Sequence, residues 1–272
     1  MDVAALMTSH PVCVTPGTSL AAAMVLMDEH DVRHLPVLDD DDRLVGVISD
    51  RDLLAATGWL TSPADGERKQ ADHVYDVMHS ELTLAEPHDT VVTASVAFTV
   101  QRIGCMPVVD GEELVGILTE IDMLMAYWRM CHDGGMDGTV DPKVSTLMAG
   151  DPLTVQPGTL VSDAVRIARA HGIRHLPVVE DGRLVGILSD RDLRAAVGTG
   201  HATDANAAGM MTSDPLTVSP EDALSHAAEL MASYKISGLP VVRDGHLVGI
   251  VTLTDLLDQC VDTLRETDHT PS

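Results

Sequence analysis

The stretch LVGVISDRDLL at residues 44–54 decides the fold, because it recurs three more times along the chain. The other copies are LVGILTEIDML at 114–124, LVGILSDRDLR at 184–194 and LVGIVTLTDLL at 247–257. Each copy follows an apolar segment with a Pro-Val pair, such as HLPVL at 34–38, and an earlier segment that opens with Met, such as MTSHPVCVTP at 7–16. A fixed order of motifs that recurs along a chain indicates a repeat architecture. We therefore interpret the 272 residues as four copies of one unit.

The first copy predicts the secondary structure of the unit. After the apolar stretch PVCV, Thr18 or Ser19 is suited to cap a helix. The apolar face of that helix carries Leu20, Ala23, Met24 and Met27. The strand LPVL, an acidic turn and the strand LVGVIS predict a β-hairpin, and a second helix begins at SDRDLLAA. The predicted order is β-α-β-β-α, so the fold class is α+β.

The composition excludes several classes of protein. Hydrophobic residues make up 45% of the chain and aromatic residues 2%, which predicts a folded protein with an aliphatic core. A net charge of −25 repels nucleic acid and anionic lipid. No apolar run reaches the roughly 18 residues that span a bilayer, and the first residues lack a signal-peptide pattern, so we expect a cytoplasmic protein. With 31 Asp and 3 Lys, the composition resembles that of halophilic proteins.

The sequence contains no recognisable catalytic or metal-binding motif. Its four cysteines, Cys13, Cys105, Cys131 and Cys260, form no CxxC pair, so we expect reduced thiols and no metal site. The chain has no HExxH motif, no GxSxG nucleophile elbow and no GxxxxGKS or GxxxxGKT phosphate loop. We therefore predict that the protein is not an enzyme.

The repeated motifs resemble those of CBS domains, the family named after cystathionine β-synthase. The resemblance rests on the opening Met and Pro, the apolar-Pro-Val strand and the Gly-x-x-(Ser/Thr)-x-x-Asp segment, and it covers almost the whole chain. It implies that the repeats pair into two Bateman modules packed as a pseudo-symmetric disc. We predict module one at 1–130, with repeats at about 1–60 and 72–130, and module two at 141–272, with repeats at about 141–198 and 205–265.

Each repeat places a hydroxyl residue three positions before an aspartate, where a strand is predicted to enter a helix. The pairs are Ser49 and Asp52, Thr119 and Asp122, Ser189 and Asp192, and Thr252 and Asp255. The N–H groups at a helix start favour a phosphate, a hydroxyl can donate to phosphate oxygens, and an aspartate can accept ribose hydroxyls. The same spacing also forms a capping box, which needs no ligand. Both interpretations stay open at this point.

The resemblance implies which segments share each site. In CBS families that bind adenosine ligands, the matching Asp holds the ribose and the Ser or Thr lies near the phosphates. The opening segment and the pre-proline strand of the paired repeat surround the adenine. Asp52 is thus matched with 78–82 and 104–106, Asp122 with Thr8, Val12 and 34–35, Asp192 with 211–216 and 237–239, and Asp255 with 148–153 and 175–176.

Basic residues distinguish the odd repeats from the even ones. Arg33, His34 and Arg51 cluster in repeat one, and Arg174, His175 and Arg191 occupy the same positions in repeat three. Because arginine offers forked donors to phosphate, we expect phosphate-bearing nucleotides to favour the sites of Asp52 and Asp192.

Together these features predict a non-catalytic sensor of adenosine nucleotides (AMP, ADP or ATP) that acts on an effector protein in trans. A homodimer is compatible with this prediction. Binding would shift a conformational equilibrium, since no bond is made or broken. Two alternatives stay open: a sensor of S-adenosylmethionine or a related sulfonium, and a scaffold whose clefts are empty.

Overall fold

The computed structural model describes residues 1–56, 71–132, 141–193 and 205–268, and the four repeats follow the predicted order of elements. Repeat one contains β1 (Thr8–Ser9), α1 (Leu20–Glu29), β2 (His34–Leu38), β3 (Leu44–Ser49) and α2 (Asp50–Ala56), and repeat two contains α3 (Val91–Gln101), β4 (Cys105–Asp110), β5 (Glu113–Thr119) and α4 (Glu120–His132). Repeat three contains β6 (Ala149–Gly150), α5 (Val161–His171), β7 (His175–Glu180), β8 (Arg183–Ser189) and the helical residues 190–193. Repeat four contains α6 (Ala207–Met210), β9 (Thr212–Ser213), α7 (Leu224–Ser233), β10 (Gly238–Arg243), β11 (His246–Thr252) and α8 (Leu253–Asp268).

A short helical turn precedes the opening Met segment of every repeat. It is a 3-10 turn at Val3–Ala5, Val74–Asp76 and Val144–Thr146, and the short helix α6 in repeat four. The sequence analysis did not predict these turns, because a single turn carries too few apolar positions to show a helical period.

The first long helix of repeat one begins where the polar residues predict it. Of the two candidate caps, Ser19 is the N-cap, and its Oγ accepts a hydrogen bond from the N–H of Ala22 at 3.2 Å. Ala23 and Met27 are buried under the helix, as the apolar spacing predicts.

A parallel strand segment completes each predicted hairpin. In repeat one, Val14 bridges Val37: its N–H donates to the carbonyl of Pro36 at 3.0 Å, and its carbonyl accepts from the N–H of Leu38 at 2.9 Å. Pro36 takes part through its carbonyl, which proline retains although it lacks an N–H. The equivalent bridges in the other repeats are Ala85 to Val108, Val155 to Val178 and Val218 to Val241.

The opening segments are exchanged between neighbouring repeats. β1 of repeat one pairs antiparallel with β5 of repeat two, and His79 of repeat two bridges Val47 in β3 of repeat one. In the second pair, β6 of repeat three joins β11 of repeat four, while β9 of repeat four joins β8 of repeat three. Each repeat therefore completes the sheet of its partner, in agreement with the predicted pairing of one with two and of three with four.

The exchange explains the recurring Met and Gly of the motifs. A Cβ placed on Gly46 would stand 2.8 Å from Sδ of Met78 and 3.0 Å from the carbonyl oxygen of His79, both in the paired repeat. The same contact recurs between Gly116 and Met7, Gly186 and Met211, and Gly249 and Met148. A side chain at any of these glycines would collide with the exchanged segment, so the Met and the Gly act as a packing pair.

The chain divides into two compact units, Met1–Asp122 and Met123–Ser272. The division lies inside α4, before the predicted module bounds at 130 and 141, and residues 133–140 lie outside the described part of the chain. The residues of α4 after Asp122 belong to the second unit, where Sγ of Cys260 lies 3.6 Å from the carbonyl oxygen of Met123. The module boundaries at 130 and 141 therefore stay a prediction.

The core is built largely from aliphatic side chains, with Phe98 and Tyr127 as its two large aromatic residues among those described. All four cysteines are free, and burial raises the pKa of the Cys105 and Cys260 thiols to about 12. Within the described ranges, no three or more His, Cys, Asp and Glu side chains are grouped to hold a metal ion. None of the helices described there is both long enough and apolar enough to cross a membrane.

Candidate functional site

The junction between β3 and α2 forms a reciprocal cap. The N–H of Ser49 donates to Oδ2 of Asp52 at 2.8 Å, and the Ser49 hydroxyl donates to the same oxygen at 2.6 Å. The N–H of Asp52 donates back to Oγ of Ser49 at 3.3 Å. This arrangement is the capping box that the spacing predicts, closed here by Asp.

Repeat three repeats this geometry in full, and the even repeats share its two hydrogen bonds to Oδ2 of the Asp. In repeat three the Ser189–Asp192 distances are 2.8, 2.6 and 3.3 Å, matching those of repeat one. In the even repeats, Thr119 donates its N–H and hydroxyl to Oδ2 of Asp122 at 2.7 and 2.7 Å, and Thr252 donates to Oδ2 of Asp255 at 2.8 and 2.7 Å. The hydroxyl proton is thus committed to the carboxylate, and a ligand phosphate would have to compete for it.

At each junction the bonds from the Ser or Thr use one carboxylate oxygen, Oδ2. All four aspartates are partly exposed, and no hydrogen bond within the described residues reaches Oδ1 of Asp122, Asp192 or Asp255. Burial raises the pKa of Asp122, because the desolvated carboxylate is only partly compensated by its bonds to Thr119. A hydroxyl donor reaching Oδ1 would compensate that charge further.

The strand exchange places the opening segment of the paired repeat beside each junction. Thr8 lies opposite Ile117 on β5, two residues before Thr119, so the structure brings Thr8 to the junction of Asp122. Val12 is partly buried against the hydrophobic cluster that includes Val14 and Ala23, and its place at the Asp122 site stays a prediction.

One residue that the sequence analysis missed contacts an aspartate directly. Nε2 of His79 lies 2.9 Å from Oδ1 of Asp52, which joins the 78–82 segment to Asp52. The signal was available in the sequence, because His79 follows the motif Met78 just as Thr8 follows Met7.

One of the predicted arginines contacts the paired repeat. The guanidinium of Arg174 donates to Oγ1 of Thr254 at 3.2 Å, beside Asp255 of the paired repeat. Arg174 directly precedes β7, and its role at the Asp192 site stays a prediction. Arg51 and Arg191 are exposed and follow Ser49 and Ser189 in the first helical turn, while Arg33 is partly buried.

The two histidines before the Leu-Pro strand lie between paired repeats. A Cβ on Gly104 would stand 2.7 Å from Nε2 of His34, and Nε2 of His175 is 3.1 Å from Oγ of Ser237. Burial lowers the pKa of His34 to about 4. His34 is therefore neutral at pH 7, so any hydrogen bond that it donates to a ligand comes from an uncharged imidazole.

Comparison with known proteins identifies the repeats. The CBS-domain profile matches residues 3–58, 74–129, 144–199 and 207–262. The chain belongs to the CBS-domain family. The predicted family and the predicted fourfold repeat are both confirmed, and the four matches coincide with the four units of the fold.

Two archaeal proteins share this CBS architecture over nearly their full length. The uncharacterised protein MJ1225 of Methanocaldococcus jannaschii is 26% identical over 269 residues, which cover 90% of this chain and 94% of MJ1225. Its crystal structure, described as that of a proposed archaeal homologue of γ-AMPK, superimposes with a TM-score of 0.76 at 25% identity and covers 95% of this chain and 99% of that one. An uncharacterised conserved protein from Pyrococcus horikoshii gives a TM-score of 0.65 at 25% identity, covering 96% and 100% of the two chains.

A CBS relative of different size is an enzyme. Inosine-5'-monophosphate dehydrogenase of Korarchaeum cryptofilum is 33% identical over 175 residues, which are 64% of this chain but only 32% of the dehydrogenase. The likeness leaves about two thirds of that protein unmatched, so its activity is not transferred to this chain.

Proposed function

We propose that this CBS protein is a non-catalytic regulator that binds adenosine nucleotides, namely AMP, ADP or ATP, in the clefts between paired repeats. The observation that carries the proposal is the Asp carboxylate at each strand-to-helix junction. The Ser or Thr three residues earlier holds its Oδ2 in place, and we assign Oδ1 to the ligand.

The chemistry of the cleft fits an adenosine ligand. The Oδ1 atom can accept from the hydroxyls of a ribose, and the N–H groups of the following helix favour a phosphate at the helix start. Apolar residues of the Leu-Pro-Val strands can pack on a flat base while backbone groups bond to its edge. The likeness to MJ1225, described as a proposed homologue of γ-AMPK, supports a regulatory role of this kind.

The position of Arg174 revises the expected order of the sites. Since its guanidinium lies beside Thr254, the cleft of Asp255 gains the forked donor that we had assigned to the cleft of Asp192. We therefore propose that the Asp255 cleft favours phosphate-bearing ligands over uncharged adenosine.

Binding would regulate by changing the populations of two arrangements of a repeat pair. Each cleft contains parts of two repeats, so a ligand that contacts both stabilises the arrangement that fits it best. In this proposal the signal passes to a partner protein or to a second copy of the chain.

Calorimetric titration of the full chain tests the proposal. AMP, ADP and ATP should bind wild-type protein, and Asp255→Ala should weaken one binding event by about one to two decades, because a hydrogen bond to a charged group contributes roughly 1.5–3 kcal/mol. Asp258→Ala is the matched control, since Asp258 is an exposed carboxylate on the same helix α8.

Three outcomes would contradict the proposal. If S-adenosylmethionine binds and AMP, ADP and ATP do not, the protein is a sulfonium sensor. If no adenosine compound binds in either low or molar salt, the scaffold alternative holds. If Asp258→Ala weakens binding as much as Asp255→Ala, the junction carboxylate is not the ribose acceptor.

A further inference from the structure

His79 makes the cleft of Asp52 chemically different from the other three. Its Nε2 is 2.9 Å from Oδ1 of Asp52, the oxygen that the capping box leaves available. The carboxylate side chain is 18% exposed, whereas the imidazole is 70% exposed. The contact therefore occupies Oδ1 of Asp52, while most of the imidazole ring stays exposed to solvent.

The backbone fixes the position from which His79 reaches the carboxylate. Its N–H donates to the carbonyl of Val47 at 2.9 Å, and its carbonyl accepts from the N–H of Val47 at 2.9 Å. This bridge gives residue 79 the same register as the exchanged strands of the other three clefts. The equivalent pairs there are Thr8 with Ile117, Ala149 with Ile250 and Thr212 with Ile187.

None of the three equivalent residues replaces the imidazole. Alanine has no donor, and threonine carries its hydroxyl on a much shorter side chain than histidine. Within the described residues, neither Thr8 nor Thr212 forms a side-chain hydrogen bond with an Asp of the junctions. At Asp52, by contrast, Ser49 binds one oxygen and His79 binds the other, so both carboxylate oxygens are engaged.

We propose that His79 is a specificity-determining residue that occupies the ligand-facing oxygen of Asp52 and makes this cleft the weakest of the four for ligands with a ribose. This inference rests on the proposed function, because it takes the Asp carboxylate as the ribose acceptor. A nucleotide entering the cleft must displace the imidazole before its hydroxyls reach Oδ1. Among the described residues no side chain competes in this way at Asp122, Asp192 or Asp255, so the three other clefts fill first as the nucleotide concentration rises.

The Asp52 cleft can be tested alone in a triple variant of the full chain that carries Asp122→Ala, Asp192→Ala and Asp255→Ala. In this variant Asp52 is the one remaining ribose acceptor of the four. Adding His79→Thr, which introduces the residue found at positions 8 and 212, should tighten AMP binding by roughly two- to fivefold, the range of a surface ion pair. When Asp52→Ala is also present, His79→Thr should no longer tighten AMP binding. An indirect structural effect of His79→Thr would persist without the Asp52 carboxylate.

The reciprocal substitution Thr8→His in otherwise wild-type protein is the second test and needs no triple background. It should weaken AMP binding at one site by a similar factor. If AMP binds the wild type and neither His79→Thr nor Thr8→His changes any affinity, this inference is wrong while the proposed function stands. If AMP binds neither the wild type nor any variant, the proposed function is wrong and this inference with it. Should the triple variant not fold, Thr8→His alone decides between these results.

Discussion

Gly46 lies where the side chain of Met78 from the neighbouring repeat crosses the sheet. We predict that Gly46→Ala destabilises the first unit by about 1–3 kcal/mol, the usual effect of overpacking. The added Cβ would stand 2.8 Å from Sδ of Met78 and 3.0 Å from the carbonyl oxygen of His79, and the backbone atom cannot move without breaking the bridge to Val47. Urea denaturation followed by circular dichroism measures the change.

Gly17→Ala is the matched control, because no atom lies within 4 Å of a Cβ at Gly17. Its effect should stay within about 1 kcal/mol of either sign. Combining Gly46→Ala with Met78→Ala should recover part of the lost stability. An equal loss in the Gly46 and Gly17 variants would show that the contact with Met78 is unimportant.

His34 predicts a pH dependence of stability. Burial lowers the pKa of His34 from 6.5 to about 4, with Arg51 and Arg33 also lowering it and Asp50 raising it. As the pH falls below 6.5 the unfolded chain takes up this proton before the folded chain does, so stability is present above pH 6.5 and is lost towards pH 4. At pH 5 the loss should amount to about 1–2 kcal/mol.

The variant His34→Gln separates this effect from the titration of the carboxylates. Its free energy of unfolding should change less between pH 7 and pH 5 than that of the wild type, because glutamine does not titrate. Identical pH profiles for the two proteins in urea denaturation would contradict the prediction.

At the scale of single residues, the sequence predicts which residue types recur in each repeat. It does not predict which side chains contact each other between paired repeats. The four Ser/Thr-x-x-Asp pairs were identified from spacing alone, since their partners lie within one turn of the chain. The contacts of His79 with Asp52 and of Arg174 with Thr254 were not predicted, because they depend on the pairing of two repeats and join residues 27 and 80 positions apart. No local sequence pattern predicts such a contact.

Helix α4 is the element through which repeat two contributes to the second compact unit. Tyr127 is 1% exposed and its hydroxyl lies 3.4 Å from Oδ1 of Asp141, while the carbonyl of Met123 contacts Cys260. We predict that fragment 123–272 melts at a temperature about 5–10 °C higher than fragment 141–272. The shorter fragment lacks the buried side chains of α4, which we expect to contribute a few kcal/mol of stability.

Thermal denaturation of the two fragments, with Tyr127→Ala in the longer one, checks this prediction. Tyr127→Ala should remove much of the difference between the fragments. Equal melting temperatures for 123–272 and 141–272 would show that α4 adds nothing to the second unit and would favour the boundary at 141.

The elements themselves were largely predictable, and their partners were not. The hairpin of β2 and β3 follows from two apolar strands around an acidic turn, and α1 follows from Ser19 and the spacing of Ala23 and Met27. The two-residue strands β1, β6 and β9 have no alternation to detect. Their pairing depends on tertiary contacts with another repeat, and local β-propensity does not predict such contacts.

The charge of the whole molecule predicts a dependence of stability on salt. A net charge of −25 makes the carboxylates repel one another over a Debye length of about 10 Å at 0.1 M salt, which falls to about 3 Å at 1 M. We therefore expect the melting temperature to rise between about 0.1 M and several molar KCl. A flat profile in a thermal scan would contradict this prediction and the resemblance to halophilic proteins.

The exchange of opening strands also has a consequence for how the chain is synthesised. β1 at Thr8–Ser9 pairs with Gly116 and Ile117 of β5, so its partner leaves the ribosome only after about a hundred further residues, which takes roughly 5–20 s at typical translation rates. β3 likewise keeps an open edge until His79 is made. A nascent chain that stops after one repeat therefore exposes unpaired strand edges to chaperones and proteases, and the shortest product whose sheets are closed is a pair.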